Sequence, residues 1–254
     1  MVLLENVSGL ASSAGVAFKE AICLAIEESG YRVDCDMLYA SEFGVPQKRR
    51  PLFFLGVKPG VKLRWPKPTH GPGCKNPYVT VGDAITDLPF INAGESADHY
   101  LSDPKTEYQK LMRKKASKTV HNHVAPKHPQ ETIDKIGNTK PGEPIYPKFA
   151  QRIRLSMDGL SPTQVSGGIR PQYQFGHPTA ARGLTVRERC RLQSFPDRFI
   201  VHGGTVQGRV QTGNAVPPLL AKAIALQIKD MIQGKPLSEE KSIPAKPSQL
   251  SLIK

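Results

Sequence analysis

The segment PLFFLGV at residues 51–57 is a continuous apolar run that ends at a Lys-Pro-Gly turn. An apolar run of this length, without alternation, indicates a strand that is buried on both faces. Toward the N-terminus, YRVDCDML at residues 31–38 alternates apolar and polar residues, which predicts a second strand. The segment between them, FGVPQKRR at residues 43–50, is predicted to be a basic turn.

Further toward the N-terminus, residues 14–29 carry apolar side chains at helical spacing, and Gly30 supplies a stop. Residues 2–7 form another short apolar run that delivers Glu5 and Asn6 to its end, and they predict a third strand. Strand, helix, strand and strand within about 57 residues are typical of an α/β domain.

The composition changes after about residue 60. The chain becomes rich in proline and glycine, polar and basic through about residue 178. Pro104 and Pro129 are expected in the first turns of two short helices, and Gly137 is expected to end the second of these. The predicted short helices span residues 81–88, 104–115 and 129–136.

Regular patterns return near residue 184. Thr185 and Glu188 have the spacing of a capping box, which predicts a short helix that stops before Pro196. Residues 211–218, QTGNAVPP, predict a tight loop, and residues 235–254 are expected to be disordered. The segment between these two is predicted to form an amphipathic helix whose apolar face carries Leu220, Ile224, Ile228 and Met231.

The 254-residue chain has a formal net charge of +13. This charge fits either a solubility role or a polyanionic partner, because Lys and Arg neutralise phosphates. No apolar run approaches the roughly 20 residues that span a bilayer. The four cysteines form no CxxC pair, so neither a zinc site nor a disulfide framework is indicated, and a reducing cytoplasm is expected. His121, His123 and His128 cluster without a cysteine, so they are predicted to be surface or packing residues rather than metal ligands.

Four short motifs follow one another along the chain. They are Glu5-Asn6-Val7, QKRR at 47–50, RGLTVRERCRLQSFPDRF at 182–199, and GNAVPP at 213–218. In this order, over about residues 1–234, they resemble the second half of a bacterial cytosine-5 DNA methyltransferase. The resemblance implies an α/β fold with part of a Rossmann-like, S-adenosylmethionine-dependent methyltransferase sheet and a small irregular target-recognition domain. It divides the chain into catalytic residues 1–60, recognition residues 61–180, returning catalytic residues 181–234 and a tail, 235–254.

The resemblance also implies a chemistry. In the family, a cysteine thiolate adds to carbon 6 of a cytosine that has been swung out of duplex DNA, and carbon 5 then takes the methyl group of S-adenosylmethionine. A carboxyl group at N3 assists the addition, and Glu5 matches that residue. Burial would have to raise the pKa of Glu5 for acid work. The alternative for Glu5 is an exposed acid at a strand end. Asn6 is expected to fix the geometry of the catalytic loop.

Arg49 matches a family arginine that lines the active site. The family's second arginine falls where Pro51 stands, and Arg50 comes one place early, so a substitute role for Arg50 is open. Gln47, Lys48 and Arg50 are predicted to bind DNA, with a solvated basic turn as the alternative.

Two further residue pairs take roles from the resemblance. Asn214 would hydrogen-bond the methionine part of S-adenosylmethionine and Val216 would pack nearby, although Pro-Pro can also be a plain helix entry. Ser161 and Thr163 resemble the loop near the partner base of the target. Arg187 and Arg191 are expected to tie the recognition domain to the catalytic one.

The family's glycine-rich cofactor loop and its Pro-Cys-Gln nucleophile motif have no match, since no cysteine follows a proline. Three explanations stay open: a subunit completed by a second methyltransferase chain, a truncated remnant, or a DNA-binding module without chemistry. A bacterial or phage source is expected. The peptide QLSLI at 249–253 resembles a sliding-clamp-binding motif, with an ordinary apolar terminus as the alternative.

Overall fold

The computed structural model describes residues 1–166 and 174–234. Its regular elements alternate between strands and helices in the first quarter of the chain and are helical afterwards. The strands are β1 (Val2–Asn6), β2 (Arg32–Met37) and β3 (Leu52–Val57), and the helices are α1 (Val16–Glu28), α2 (Val81–Ile85), α3 (Glu107–Arg113), α4 (Gln130–Asn138), α5 (Val186–Leu192), α6 (Thr205–Asn214) and α7 (Pro218–Ile232).

The three strands form one sheet in the order β1-β3-β2. β3 runs antiparallel to both neighbours, so β1 and β2 are parallel to each other. α1 carries the chain across β3 to reach β2. The structure confirms the α/β prediction, and each strand ends within about one residue of its predicted bounds.

β3 is the centre of the sheet, and all six of its residues are buried. Because side chains alternate along a strand, Leu52 and Phe54 pack with Ile26 of α1 on one face. Phe53 and Leu55 point to the other face, where α7 lies. Because α1 covers one face of β3 and α7 covers the other, PLFFLGV does not alternate between apolar and polar residues. The predicted apolar face of α7 is confirmed, since it supplies Leu220, Ile224, Ile228 and Met231 to this packing.

Several predicted helix ends were wrong. α2 is shorter than predicted and ends at Ile85. α3 begins after Thr106 rather than at Pro104, because Thr106 and Gln109 form a capping box. α4 continues through Gly137, because Arg154 Nη1 donates to backbone carbonyls in its last turn, including that of Gly137 at 2.8 Å.

The prediction of a loop over residues 211–218 was also wrong, since α6 extends to Asn214. Its glycines lower the intrinsic helix propensity, which favours a loop when the sequence is read alone. In the structure they allow close packing instead. A Cβ at Gly208 would lie 2.6 Å from Val186 Cγ2. Tertiary contact therefore outweighs the local preference.

α5 packs against α2 in the largest apolar core, where Leu184 and Leu192 join side chains of residues 81–175. Residues on both sides of the predicted boundary at 180 thus share one core. The predicted disordered tail at 235–254 and the clamp-like peptide within it lie outside the described residues. Across residues 1–166 and 174–234, no helix has the length and apolar character that a bilayer crossing requires.

Candidate active site and DNA interface

Glu5 lies near the end of β1, opposite Phe53 of β3. Its Oε1 is 3.8 Å from Arg49 Nη2, which is an ion-pair distance. Arg49 Nη1 donates to the carbonyl of Gly213 at 2.8 Å and to that of Gln164 at 3.3 Å. Arg49 therefore joins three regions that are distant in sequence: the tip of β1, the C-terminal turn of α6 and the segment 161–166.

The environment of Glu5 favours its neutral form. Burial raises the pKa of Glu5, and the Arg49 guanidinium opposes that rise without cancelling it. Burial also lowers the pKa of Arg49. Glu5 Oε1 is buried and has no hydrogen-bond partner among the described residues. The pair thus presents a carboxyl group that keeps its proton at higher pH than a free glutamate and has an oxygen available for a ligand.

Asn6 follows Glu5 and acts locally. Its Oδ1 accepts a hydrogen bond from the backbone N–H of Val7 at 2.8 Å. This bond lies in the turn that leaves β1, and the role of Asn6 in the catalytic loop stays a prediction.

The basic turn after β2 lies alongside the segment that begins at Ser161. Ser161 N–H donates to the Pro46 carbonyl at 3.0 Å, and Lys48 N–H donates to the Ser161 carbonyl at 2.8 Å. The Gln47 side chain accepts from Gln164 N–H at 3.0 Å. The two groups of residues predicted to bind DNA, more than a hundred positions apart, are therefore neighbours.

Burial divides these DNA-binding candidates. Gln47 and Ser161 are both 0% exposed, which does not fit the direct DNA contacts predicted for them. Gln47 Nε2 donates to the Leu192 carbonyl at 3.1 Å, so this residue ties the turn to α5. Lys48 is exposed and Thr163 is half-buried, with Thr163 Oγ1 at 3.4 Å from the Lys48 carbonyl. Lys48 and Thr163 therefore have solvent-accessible surface, which Gln47 and Ser161 lack.

The Arg50 side chain stacks on an aromatic ring. Its guanidinium lies over the ring of Tyr39, 4.5 Å from the centroid. A substitute role for Arg50 in the active site stays a hypothesis.

The predicted cofactor residues flank the join between α6 and α7. Asn214 is the last residue of α6, is exposed, and follows the Gly213 that binds Arg49. Val216 is half-buried against the apolar cluster that includes Phe53. Ser194 Oγ accepts from Leu219 N–H at 3.1 Å and holds the start of α7.

The model of the family described as C-5 cytosine-specific DNA methylase matches residues 1–230. The chain belongs to this family. It is 34% identical to the type II methyltransferase M1.HphI of Haemophilus parahaemolyticus, over 90% of this chain and 56% of that protein. It is 33% identical to M.DdeI of Desulfomicrobium norvegicum, over 96% of this chain and 66% of that protein. The chain thus spans between about half and two thirds of the length of these relatives.

A solved structure agrees with this assignment. A protein described as a DNA modification methyltransferase encoded within an Escherichia coli prophage superposes with a TM-score of 0.73 at 25% identity. The superposition covers 91% of this chain and 69% of that one. The α/β architecture of this cytosine-5 DNA methylase chain is therefore that of a methyltransferase.

The arginines of α5 in this methylase chain hold its segments together, as predicted. Arg191 is fully buried and binds Asp87 Oδ1 at 3.0 Å and Asp197 Oδ1 at 2.6 Å. Arg187 Nε donates to the His121 carbonyl at 2.8 Å. These contacts join α5 to the segment between α2 and α3, to the segment between α3 and α4, and to the loop after α5, so both side chains have structural roles.

Of the three histidines predicted to be surface or packing residues, His123 and His128 make internal contacts through their side chains. His123 is buried between the Pro89 carbonyl at 2.8 Å and Thr185 Oγ1 at 3.1 Å. His128 Nε2 accepts from Gly183 N–H at 3.0 Å. Within the part of the chain that the structure describes, no group of three His, Cys, Asp or Glu side chains is arranged to hold a metal ion.

The two cysteines whose pKa values shift are held as thiols. Cys190 is buried in α5, and burial raises its pKa to about 11. Burial also raises the pKa of Cys23 in α1. A nucleophile needs the thiolate form, so neither of these cysteines is activated.

Two residues of the site were not predicted to take part in it. Gln164 connects Gln47, Arg49 and α5, and Gly213 supplies the carbonyl that Arg49 binds. Gly213 lies in GNAVPP, a motif that the sequence does single out. Gln164 has no local signal, because its partner Arg49 lies 115 positions away.

Gly213→Ala is expected to disturb the site, because an added Cβ would lie 2.5 Å from the Ser166 backbone nitrogen and from the Val165 carbonyl carbon. We expect a loss of about 1–3 kcal/mol in the free energy of unfolding, measured in urea. Gly9→Ala is the control, since nothing lies within 4 Å of a Cβ at Gly9. Equal stability of the two variants would contradict the close contact.

Proposed function

We propose that this chain is part of a DNA (cytosine-5-)-methyltransferase that transfers a methyl group from S-adenosylmethionine to C5 of a cytosine flipped out of duplex DNA. The observation that carries the proposal is the Glu5–Arg49 pair, held beside Gly213 and Asn214 at the tip of β1. It unites the predicted acid, the basic turn and the predicted cofactor loop. Membership of the cytosine-5 DNA methylase family supports the same reaction.

Glu5 is the proposed acid. A neutral carboxyl group can donate a hydrogen bond to N3 of cytosine, and the carbonyl oxygen of the same group can accept one from the exocyclic amine. This pairing selects cytosine and stabilises negative charge on the ring. Burial raises the pKa of Glu5, which favours the donating form relative to that of a free glutamate. Arg49 orients the carboxyl group, and its cation limits how far the pKa rises.

The cofactor residues proposed are Asn214 and Val216. When bound, S-adenosylmethionine supplies the activated methyl group. The exposed Asn214 amide would hold its polar end, and Val216, packed in the cluster of Phe53, would line its apolar side. Glu5 Oε1 is ion-paired with Arg49 at 3.8 Å but accepts no hydrogen bond within the described residues, which supports a polar ligand nearby.

The proposed DNA contacts are electrostatic and polar. Lys48 is exposed beside Thr163, and the chain carries a net charge of +13. Phosphate neutralisation by lysine contributes affinity without reading sequence. The buried Gln47 and Ser161 would then act by holding these neighbours in position.

Lys48→Ala is expected to weaken DNA binding equally on all duplex sequences and to reduce the slope of log K against log[salt] by about 1. Lys62→Ala is the control, because Lys62 is exposed beside β2, at the other edge of the sheet from β1. Fluorescence anisotropy with a short labelled duplex, over a range of salt concentrations, measures the DNA affinity and its salt dependence for each variant. Identical slopes for the two variants would exclude the Lys48 contact.

A second candidate function is a DNA-binding module without chemistry. It is favoured by Cys23 and Cys190, whose raised pKa values keep them as thiols. Both candidates share DNA binding, so only methyl transfer separates them.

Bisulfite sequencing separates the two candidates. It is carried out on DNA from cells that make this chain alone, and from cells that make it together with the part of M1.HphI outside the match. We expect methylated cytosines only in the second case. DNA binding without methylation in both cases would favour the binding module. Methyl transfer by the purified chain alone would contradict the requirement for further residues.

A further inference from the structure

Two of the four cysteines lie on elements that pack against each other. Cys23 is in α1 and Cys35 is in β2. Sequence spacing does not single them out as a pair, because they form no CxxC motif. In the structure, however, both side chains pack in the apolar cluster around Ile26 and Phe54. The fold therefore brings together two thiols that the sequence leaves unconnected.

The register of the sheet explains why Cys35 faces α1. Cys35 pairs with Phe54 of β3, and paired residues on neighbouring strands point to the same face of a sheet. Phe54 packs with Ile26 of α1, so this is the face that α1 covers. On α1, Cys23 lies three positions before Ile26 and therefore on the same side of the helix. The two thiols thus face each other between the helix and the strand.

The Cys35 thiol acts directly on that of Cys23. Burial raises the pKa of Cys23, and Cys35 raises it further through electrostatic repulsion and through a hydrogen bond between the two side chains. A hydrogen bond between thiols brings their sulfur atoms near van der Waals contact. Both side chains are also partly exposed, whereas Cys190 is fully buried. A small reagent can therefore reach a pair of sulfurs that already adjoin each other.

We propose that Cys23 and Cys35 are a modification site, at which a low-molecular-weight disulfide such as oxidised glutathione converts the two thiols into a reversible disulfide. The bond locks α1 onto β2, an edge strand of the described sheet. The inference does not depend on the proposed function, because neither cysteine belongs to the group formed by Glu5, Arg49 and Gly213.

Two exchange steps form the bond. The thiolate of one cysteine attacks a sulfur of oxidised glutathione, which forms a mixed disulfide and releases one glutathione thiolate. The thiolate of the other cysteine then attacks the protein sulfur of the mixed disulfide and releases the second glutathione thiolate. Two protein thiols are oxidised to one disulfide, and one oxidised glutathione is reduced to two glutathione molecules. The two protons lost by the protein end on the released glutathione thiolates.

Glutathione exchange on the folded full chain tests the proposal. The purified protein is incubated with oxidised glutathione at mildly alkaline pH, where thiolates are more populated. Free thiols are then alkylated, and the protein is digested with trypsin without reduction. Cleavage after Lys19, Arg32 and Lys48 releases the two cysteines on separate peptides, 20–32 and 33–48. We expect mass spectrometry to find these two peptides joined by a bond that dithiothreitol breaks.

Variants of the cysteines identify the pair. Cys74→Ser is the matched control and is expected to give the same linked peptides, because it leaves Cys23 and Cys35 in place. Cys23→Ser and Cys35→Ser are each expected to abolish the link and to carry glutathione on the remaining cysteine. A parent chain that carries glutathione on both cysteines without linking them, or that reacts at neither of them, would overturn the proposal.

The same reaction in urea shows whether the fold directs the pairing. In the unfolded chain, links are expected to spread over pairs that include Cys74 and Cys190. In the folded chain, they are expected to concentrate on Cys23 and Cys35, because packing holds these two thiols together. If the Cys23–Cys35 share of the links is no larger in the folded chain than in urea, the proposal is wrong.

Amide hydrogen exchange measures the lock. The cross-link is expected to slow exchange in α1 and β2, because it opposes their separation during local opening. Cys23→Ser, treated in the same way, is the control and is expected to show no slowing. Equal exchange in the oxidised and reduced parent chains would contradict the lock. These readouts need neither DNA nor S-adenosylmethionine, so their failure is distinct from a failure of the proposed function.

Discussion

Arg191→Leu is expected to lower the free energy of unfolding by about 3–5 kcal/mol, because it removes the cation that binds two buried carboxylates at once. Arg191 and Asp87 have fully buried side chains, and that of Asp197 is 1% exposed. Burial alone would raise the pKa of Asp197, but the bonds from Arg191 outweigh burial and lower it. Without Arg191, Asp87 would keep only the longer ion pair to Arg113 at 3.5 Å, and Asp197 only the one to Arg187 at 3.7 Å.

Urea denaturation, monitored by circular dichroism, measures this change in the free energy of unfolding. Arg198→Leu is the matched control, because Arg198 is exposed and makes one hydrogen bond, to the Lys114 carbonyl. The control is expected to change stability by about 0.5 kcal/mol or less. If Arg191→Leu does not fold, Arg191→Lys is measured instead. Lysine keeps the charge but cannot bind both carboxylates in the same geometry, so an intermediate loss in the free energy of unfolding is expected. A loss below about 1 kcal/mol for Arg191→Leu would contradict this account.

Glu5→Gln is expected to reduce methyl transfer by the completed enzyme by about 10²–10⁴-fold, the usual contribution of a positioned acid. Glutamine has nearly the same shape and can still hydrogen-bond, but it has no acidic proton to share with N3. The effect should fall on kcat and leave the DNA dissociation constant within about twofold. Single-turnover transfer of a labelled methyl group to a duplex substrate measures the rate.

The matched control for this substitution is Glu143→Gln, an exposed acid in the segment after α4. It is expected to leave the rate unchanged. A Glu5→Gln enzyme with a rate within tenfold of the parent would remove Glu5 from the acid role. An equal loss of DNA binding would instead point to a structural role for the Glu5–Arg49 ion pair.

Local sequence patterns predicted the regular elements well where neighbouring residues alone decide the structure. The alternation in β2, the apolar run in β3 and the Thr185–Glu188 capping box all depend on residues a few positions apart. The same reasoning failed at α6, whose last turn occupies the first half of the loop predicted at 211–218. It also misplaced the end of α4, whose last turn accepts from the distant Arg154, and it overlooked the local Thr106–Gln109 capping box that starts α3.

The sequence by itself determined the α/β class, the order of the strands along the chain and the identity of Glu5 and Arg49 as candidates. Only the tertiary structure decided that Arg49 binds the Gly213 carbonyl, 164 positions away, and that Gln47 is buried against α5 rather than exposed. The physical reason is that periodicity and caps are set by short-range contacts, whereas ion pairs and buried amides are set by which distant segments fold together.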